Sequence, residues 1–71
     1  MTSDIKRIGV VKVKKYNRNN DIVGTYLTKG TEDEIIKTNE RILEDLPLIV
    51  CKLSWCFNGK TFITTRRKKG S

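Results

Sequence analysis

The chain has no histidine, no alanine and no glutamine, a single proline and only two cysteines among its 71 residues. Without histidine it lacks the side chain that most often serves as a general base near neutral pH, and also the commonest neutral metal ligand. No glycine-containing stretch has the spacing of a phosphate-binding loop. The acids gather in one short segment instead of meeting a candidate nucleophile. No catalytic residue, metal site or cofactor is therefore assigned, and the expectation is a protein that is not an enzyme.

The cysteines add no chemistry of their own. Cys51 and Cys56 stand five apart in one strand-like run, which puts them on opposite faces and about 16–17 Å apart at strand rise. A disulfide needs Cα atoms within about 7 Å, and two thiols without histidine cannot complete a tetrahedral zinc site. Cys51 is expected to be a small core residue and Cys56 a half-exposed one.

Long apolar runs are missing too. None approaches the roughly 18 residues of a membrane helix, and MTSDIKRIGV lacks the apolar stretch of a secretion leader. A soluble cytoplasmic protein with no membrane partner is the expectation. Abundant Lys, Ile, Thr and Asn without Ala fits an AT-rich genome of phage, plasmid or low-GC bacterial origin. If the chain is phage-encoded, its compartment is the host cytoplasm.

What is present suffices for one small domain. At 37% hydrophobic the chain has apolar surface to bury, although a core of this size contributes only about 3–5 kcal/mol of net stability. Residues 5–16 are rich in β-branched side chains and read as a strand. NRNND (17–21) is a cluster of turn formers, and residues 22–28 read as the returning strand. Ile8, Val10, Lys12 and Lys14 share one face of the first strand, with Val11 and Val13 on the other. Which of these is core is undetermined, because a one-residue slip exchanges them.

Lys29-Gly30 breaks the pattern, and Thr31-Glu32-Asp33-Glu34 forms a capping box. Ile35, Ile36, Asn39, Ile42, Leu43 and Leu46 follow at helical spacing, and Pro47 ends the segment, which predicts a helix over 31–46. Residues 48–57 and 60–67 then flank Asn58-Gly59, the strongest short hairpin signal. A two-residue turn sets Phe57 opposite Lys60, Trp55 opposite Phe62 and Leu53 opposite Thr64. Ile49, Cys51, Leu53, Trp55, Phe57 and Phe62 would then face the core, and Lys52, Ser54, Thr61, Ile63, Thr65 and Arg67 the other side.

The expected fold class is α+β: a ββαββ chain forming a four-stranded antiparallel sheet with one helix packed on one face. A single domain over 1–67 would trail into a loose basic tip, 68–71.

The net charge is +7, and its placement is uneven. The helix segment holds six acids against Lys37 and Arg41, while the rest of the chain holds thirteen cations against Asp4 and Asp21. A strongly cationic surface attracts polyanions and favours salt-sensitive encounter. The favoured expectation is a small basic nucleic-acid-binding regulatory module, for DNA more than RNA. It would contact phosphates through the open sheet face, the first hairpin and the C-terminal strand. The candidate contacts are Lys12, Lys14, Lys15, Tyr16, Arg18, Lys52, Arg66, Arg67, Lys68 and Lys69. Tyr16 and Tyr26 are too few for a single-strand stacking platform and are expected to shield sheet edges.

The alternative is an inhibitor or adaptor encoded by a phage or mobile element. It would dock a host protein, for instance a DNA-binding one, through Glu40, Glu44 and Asp45 on the helix. Either reading is compatible with a homodimer, given apolar residues such as Val11, Val13 and Ile63 on the sheet.

Overall fold

A computed structural model describes residues 7–66. In chain order the elements are β1 (Gly9–Tyr16), β2 (Ile22–Gly30), α1 (Glu32–Asp45), β3 (Lys52–Phe57) and β4 (Lys60–Thr65). The strands form one antiparallel sheet in the order β2-β1-β3-β4, with α1 across one face and the other face open. This is the expected ββαββ architecture. None of the helices among the described residues is long and apolar enough to cross a membrane. The expected tip at 68–71, and Arg67, lie outside the described residues.

Each hairpin follows from its turn chemistry. Asn58 and Gly59 both take positive φ, 51° and 82°, as a two-residue turn matched to strand twist requires. The register is the one that this turn dictates: Phe57 with Lys60, Trp55 with Phe62, Leu53 with Thr64. Trp55 and Phe62 stack across the pair with centroids 5.8 Å apart.

In the first hairpin, the Asn17 side-chain Oδ1 accepts from the backbone N–H groups of Asn19 and Asp21. Asn20 adopts φ 67°, so the loop is a tight turn followed by a left-handed residue. A bulge between Lys15 and Tyr16 then shifts the pairing, from Tyr16 with Ile22 to Lys15 with Gly24.

The capping box of α1 is complete: the Thr31 hydroxyl accepts from Glu34 N–H, and the Glu34 carboxylate accepts from Thr31 N–H. Gly30 makes room for it. Its φ is 153°, and a Cβ there would stand 2.9 Å from Glu34 Oε1. β2 runs through Lys29 and Gly30 instead of breaking before them.

The core lies between α1 and the sheet. Ile35, Asn39 and Leu43 of the helix are buried against Val11 and Val13 of β1 and Leu53, Trp55 and Phe57 of β3. Val11 and Val13 are therefore core residues and not the exposed patch that a sheet-mediated dimer would use; Ile63 is exposed.

One expected core residue is displaced. Residues 47–50 form a turn closed by Val50 N–H donating to Pro47 O at 2.9 Å, and β3 begins only at Lys52. The strand alternation does not reach back to Ile49. Ile49 is 60% exposed, and Val50 is buried in its place.

Candidate nucleic-acid interface

The open face of the sheet follows from strand parity and register. In β1 it carries Val10, Lys12, Lys14 and Tyr16, since Val11 and Val13 point to the helix. Pairing brings Lys29 beside Val10, Leu27 beside Lys12 and Thr25 beside Lys14. On the other flank, Ser54 pairs with Lys14 and Lys52 with Tyr16, and Ile63 and Thr65 follow across β3 and β4. Every charged side chain of this face among the described residues is a lysine: Lys12, Lys14, Lys29 and Lys52. The exposed aliphatics Val10, Leu27 and Ile63 are interspersed with them.

The acids lie elsewhere. Glu32, Asp33, Glu34, Glu40, Glu44 and Asp45 are exposed on α1, across the core from the lysines, and Asp21 sits in the first turn. Two successive lysines on one strand face, such as Lys12 and Lys14, stand about 7 Å apart. Point charges at that spacing on a sheet face without acids among the described residues can pair with successive anionic groups of an extended polymer.

The individual candidates separate into groups. Lys12, Lys14, Tyr16 and Lys52 come together on the open face. Lys52 Nζ donates to Asn20 Oδ1 at 3.1 Å and lies 4.9 Å from the centre of the Tyr16 ring. Tyr16 is thus held under an ammonium group and belongs to this face, not to a sheet edge. Arg18 is exposed at the apex of the first turn.

Two candidates are removed from the face by their geometry. Lys15 is on the helix side by parity; its Nζ lies 5.7 Å from the centre of the Tyr26 ring, and its chain packs along Gly24. Arg66 is an internal brace. Its Nε donates to Val50 O, and one terminal nitrogen donates to the carbonyls of Leu46, Pro47 and Val50 at 2.9–3.1 Å. Arg67, Lys68 and Lys69 lie outside the described residues. Lys29 is not among the sequence candidates, because Lys29-Gly30 reads as a strand break, whereas β2 runs to Gly30 and pairs Lys29 with Val10.

Tyr26 does not shield an edge either. It faces the helix, where its hydroxyl donates to Asn39 Oδ1 at 2.6 Å. Burial pushes its phenol up to about 12 from the usual 10, and donating that proton to Asn39 acts in the same direction. Asn39 Nδ2 is buried without a partner.

The acids of the alternative surface, Glu40, Glu44 and Asp45, all fall in the second half of α1 and are exposed. Cys56 is exposed on the open face, and Cys51 is half-buried with its Sγ 3.8 Å from Ile49 O and 3.9 Å from Leu48 O. Among the described residues no group of three or more His, Cys, Asp or Glu side chains is arranged to hold a metal ion. Comparison with protein-family models, with curated proteins and with solved structures finds no match to this chain.

Proposed function

We propose that the protein is a small nucleic-acid-binding module that holds duplex DNA through its open sheet face. The observation that carries this reading is the segregation of charge: among the described residues the charged side chains of the open face are all lysines, and the acids lie on the helix behind it. Lys12, Lys14, Lys29 and Lys52 are the proposed phosphate contacts, with Arg18 reaching from the first turn. Lysine ammonium groups position a protein on a backbone without reading bases, so binding governed by phosphate and shape is the corresponding mode. Tyr16, already covered by Lys52, is not assigned to base stacking.

Fluorescence anisotropy with a labelled duplex at low ionic strength is the direct test. Binding that weakens linearly in log salt, at about −0.9 per phosphate neutralised, supports the reading. An absence of binding to duplex at 50 mM salt, a condition of tight non-specific binding for basic proteins, defeats it.

One observation favours a second reading. Glu44 and Asp45 occupy the last turn of α1, which has no basic residue of its own and where negative charge opposes the helix dipole. Acids placed against local stability suit a docking surface for a basic protein. Neutralising Glu40, Glu44 and Asp45 together would then abolish capture of a partner that survives nuclease treatment, while stabilising the helix.

A further inference from the structure

β2 ends the sheet, and among the described residues no strand lies along its outer side. Alternate backbone N–H and C=O groups of such a strand point away from the sheet, ready to pair with another chain. Natural edges are commonly blunted by short length, by proline or by charges set along the strand. β2 runs for nine residues, contains no proline and carries no charge from Ile22 to Thr28. Its bulge falls between Ile22 and Gly24, so that 24–30 pairs regularly with β1. Ile22, Val23 and Leu27 are exposed along it, Leu27 by 69%.

The charges at its two ends select the strand that fits beside it. Asp21 precedes β2 and Lys29 stands near its close, equally far from Thr25. A second β2 laid antiparallel brings the Asp21 of each copy to the Lys29 end of the other, whereas parallel pairing sets like charges together. Opposite charges across a strand pair stabilise it, and like charges directly opposite destabilise it. The other edge lacks this self-complementarity. β4 is six residues long, with Lys60 at its start and Arg66 just beyond its end, so two antiparallel copies would oppose cations at both ends.

We propose that two copies of this chain pair through their β2 edges, antiparallel about a two-fold axis that crosses the sheet at Thr25. The contact is isologous and closes at two subunits, joining two four-stranded sheets into one. Val23 of each copy then comes beside Leu27 of the other on the open side. An axis perpendicular to the sheet keeps both open faces on one side and both helices on the other, which leaves the lysines accessible. Oligomerisation is also a common way for a core of this size to reach stability. The pairing goes beyond the nucleic-acid reading and does not depend on it.

The test is sedimentation equilibrium of the full chain over a series of concentrations, with no nucleic acid present. Wild type should follow a reversible monomer–dimer equilibrium, and its melting temperature should rise with concentration. Thr25→Lys and Thr25→Glu each set like charges face to face across the axis. Each should weaken the dimer on the order of tenfold or more, with the fold checked by circular dichroism. Mixing the two variants should restore a dimer. Asp21→Lys should weaken pairing as well, and adding Lys29→Asp to it should recover it. A wild type with the mass of one chain at every concentration overturns the proposal, as do assemblies that grow beyond two, the sign of a head-to-tail β2–β4 contact. A dimer untouched by both Thr25 variants, or a mixture of the folded variants that stays monomeric, also overturns it. Failure to bind duplex DNA would defeat the nucleic-acid reading and leave this pairing standing.

Discussion

Tyr26 and Asn39 form a side-chain hydrogen bond between sheet and helix, and it is incomplete. The hydroxyl satisfies Oδ1, while Nδ2 has no partner in the core. An unmet buried donor costs about 1–3 kcal/mol, so this contact specifies the seat of the helix more than it adds stability. Tyr26→Phe leaves the whole Asn39 amide unpaired and should destabilise the protein by about 1–3 kcal/mol in denaturant melts. Replacing both, as Tyr26→Phe/Asn39→Leu, should restore or exceed wild-type stability.

The same tyrosine gives a pH signature. Its folded-state pKa of about 12 exceeds the unfolded value, so the folded form keeps a proton that the unfolded chain gives up. Its contribution is whole below about pH 10 and is lost as pH rises through about 12. Ultraviolet titration should show a late tyrosinate step that is absent in Tyr26→Phe. Sequence made the helical stripe legible, Asn39 included. It did not reveal the partner of Asn39, because Tyr26 faces the helix only through the register of a bulged hairpin.

Among the elements, α1 is the least self-sufficient at its C-terminal end. Its first turn is fully capped, but its last turn has acids and no cation. Arg66 supplies the missing charge from the end of β4, with its terminal nitrogen on Leu46 O at the helix cap. Arg66→Ala should cost about 1.5–3 kcal/mol by thermal or chemical melting, as loss of hydrogen bonds from a charged donor. Arg66→Lys should recover part of this, because an ammonium has three donors for carbonyls that one guanidinium nitrogen reaches but forfeits the Nε bond to Val50 O. Neither change should alter the salt slope of DNA binding.

The hairpins show what local chemistry can and cannot convey at this scale. Asn58-Gly59 admits one loop length, so the whole β3–β4 register is written in two residues. In 17–21 four turn formers around Arg18 leave the loop length open, and the bulge at Lys15 and Tyr16 adds a shift that no composition signals. The facing of β1 was therefore illegible, and Lys15 was grouped with Lys14. Ile49 was misplaced for a different reason. Strand periodicity was carried back to a residue that belongs to a turn, and the carbonyl brace that makes the turn comes from a side chain sixteen to twenty residues away.

At the scale of the molecule, the four strands and one helix of the described residues divide their charge into a lysine face and an acidic face on either side of one core. The two-faced distribution was legible in the sequence, because the acids fall within one helical segment. The composition of the lysine face was not, since Lys29 joins it and Lys15 leaves it only through register. Among the described residues, a face that presents lysines and aliphatics without acids suits a polyanion.

The most direct test of this account uses neighbours in sequence that the fold separates. Duplex binding should be measured against salt for wild type, Lys12→Ala/Lys14→Ala and Lys15→Ala. The account predicts that the double variant flattens the slope of log K against log salt by about 2, while Lys15→Ala leaves it near the wild-type value. Equal slopes for wild type and the double variant, or a flattening by Lys15→Ala as large per lysine as theirs, would contradict the assignment of the open sheet face.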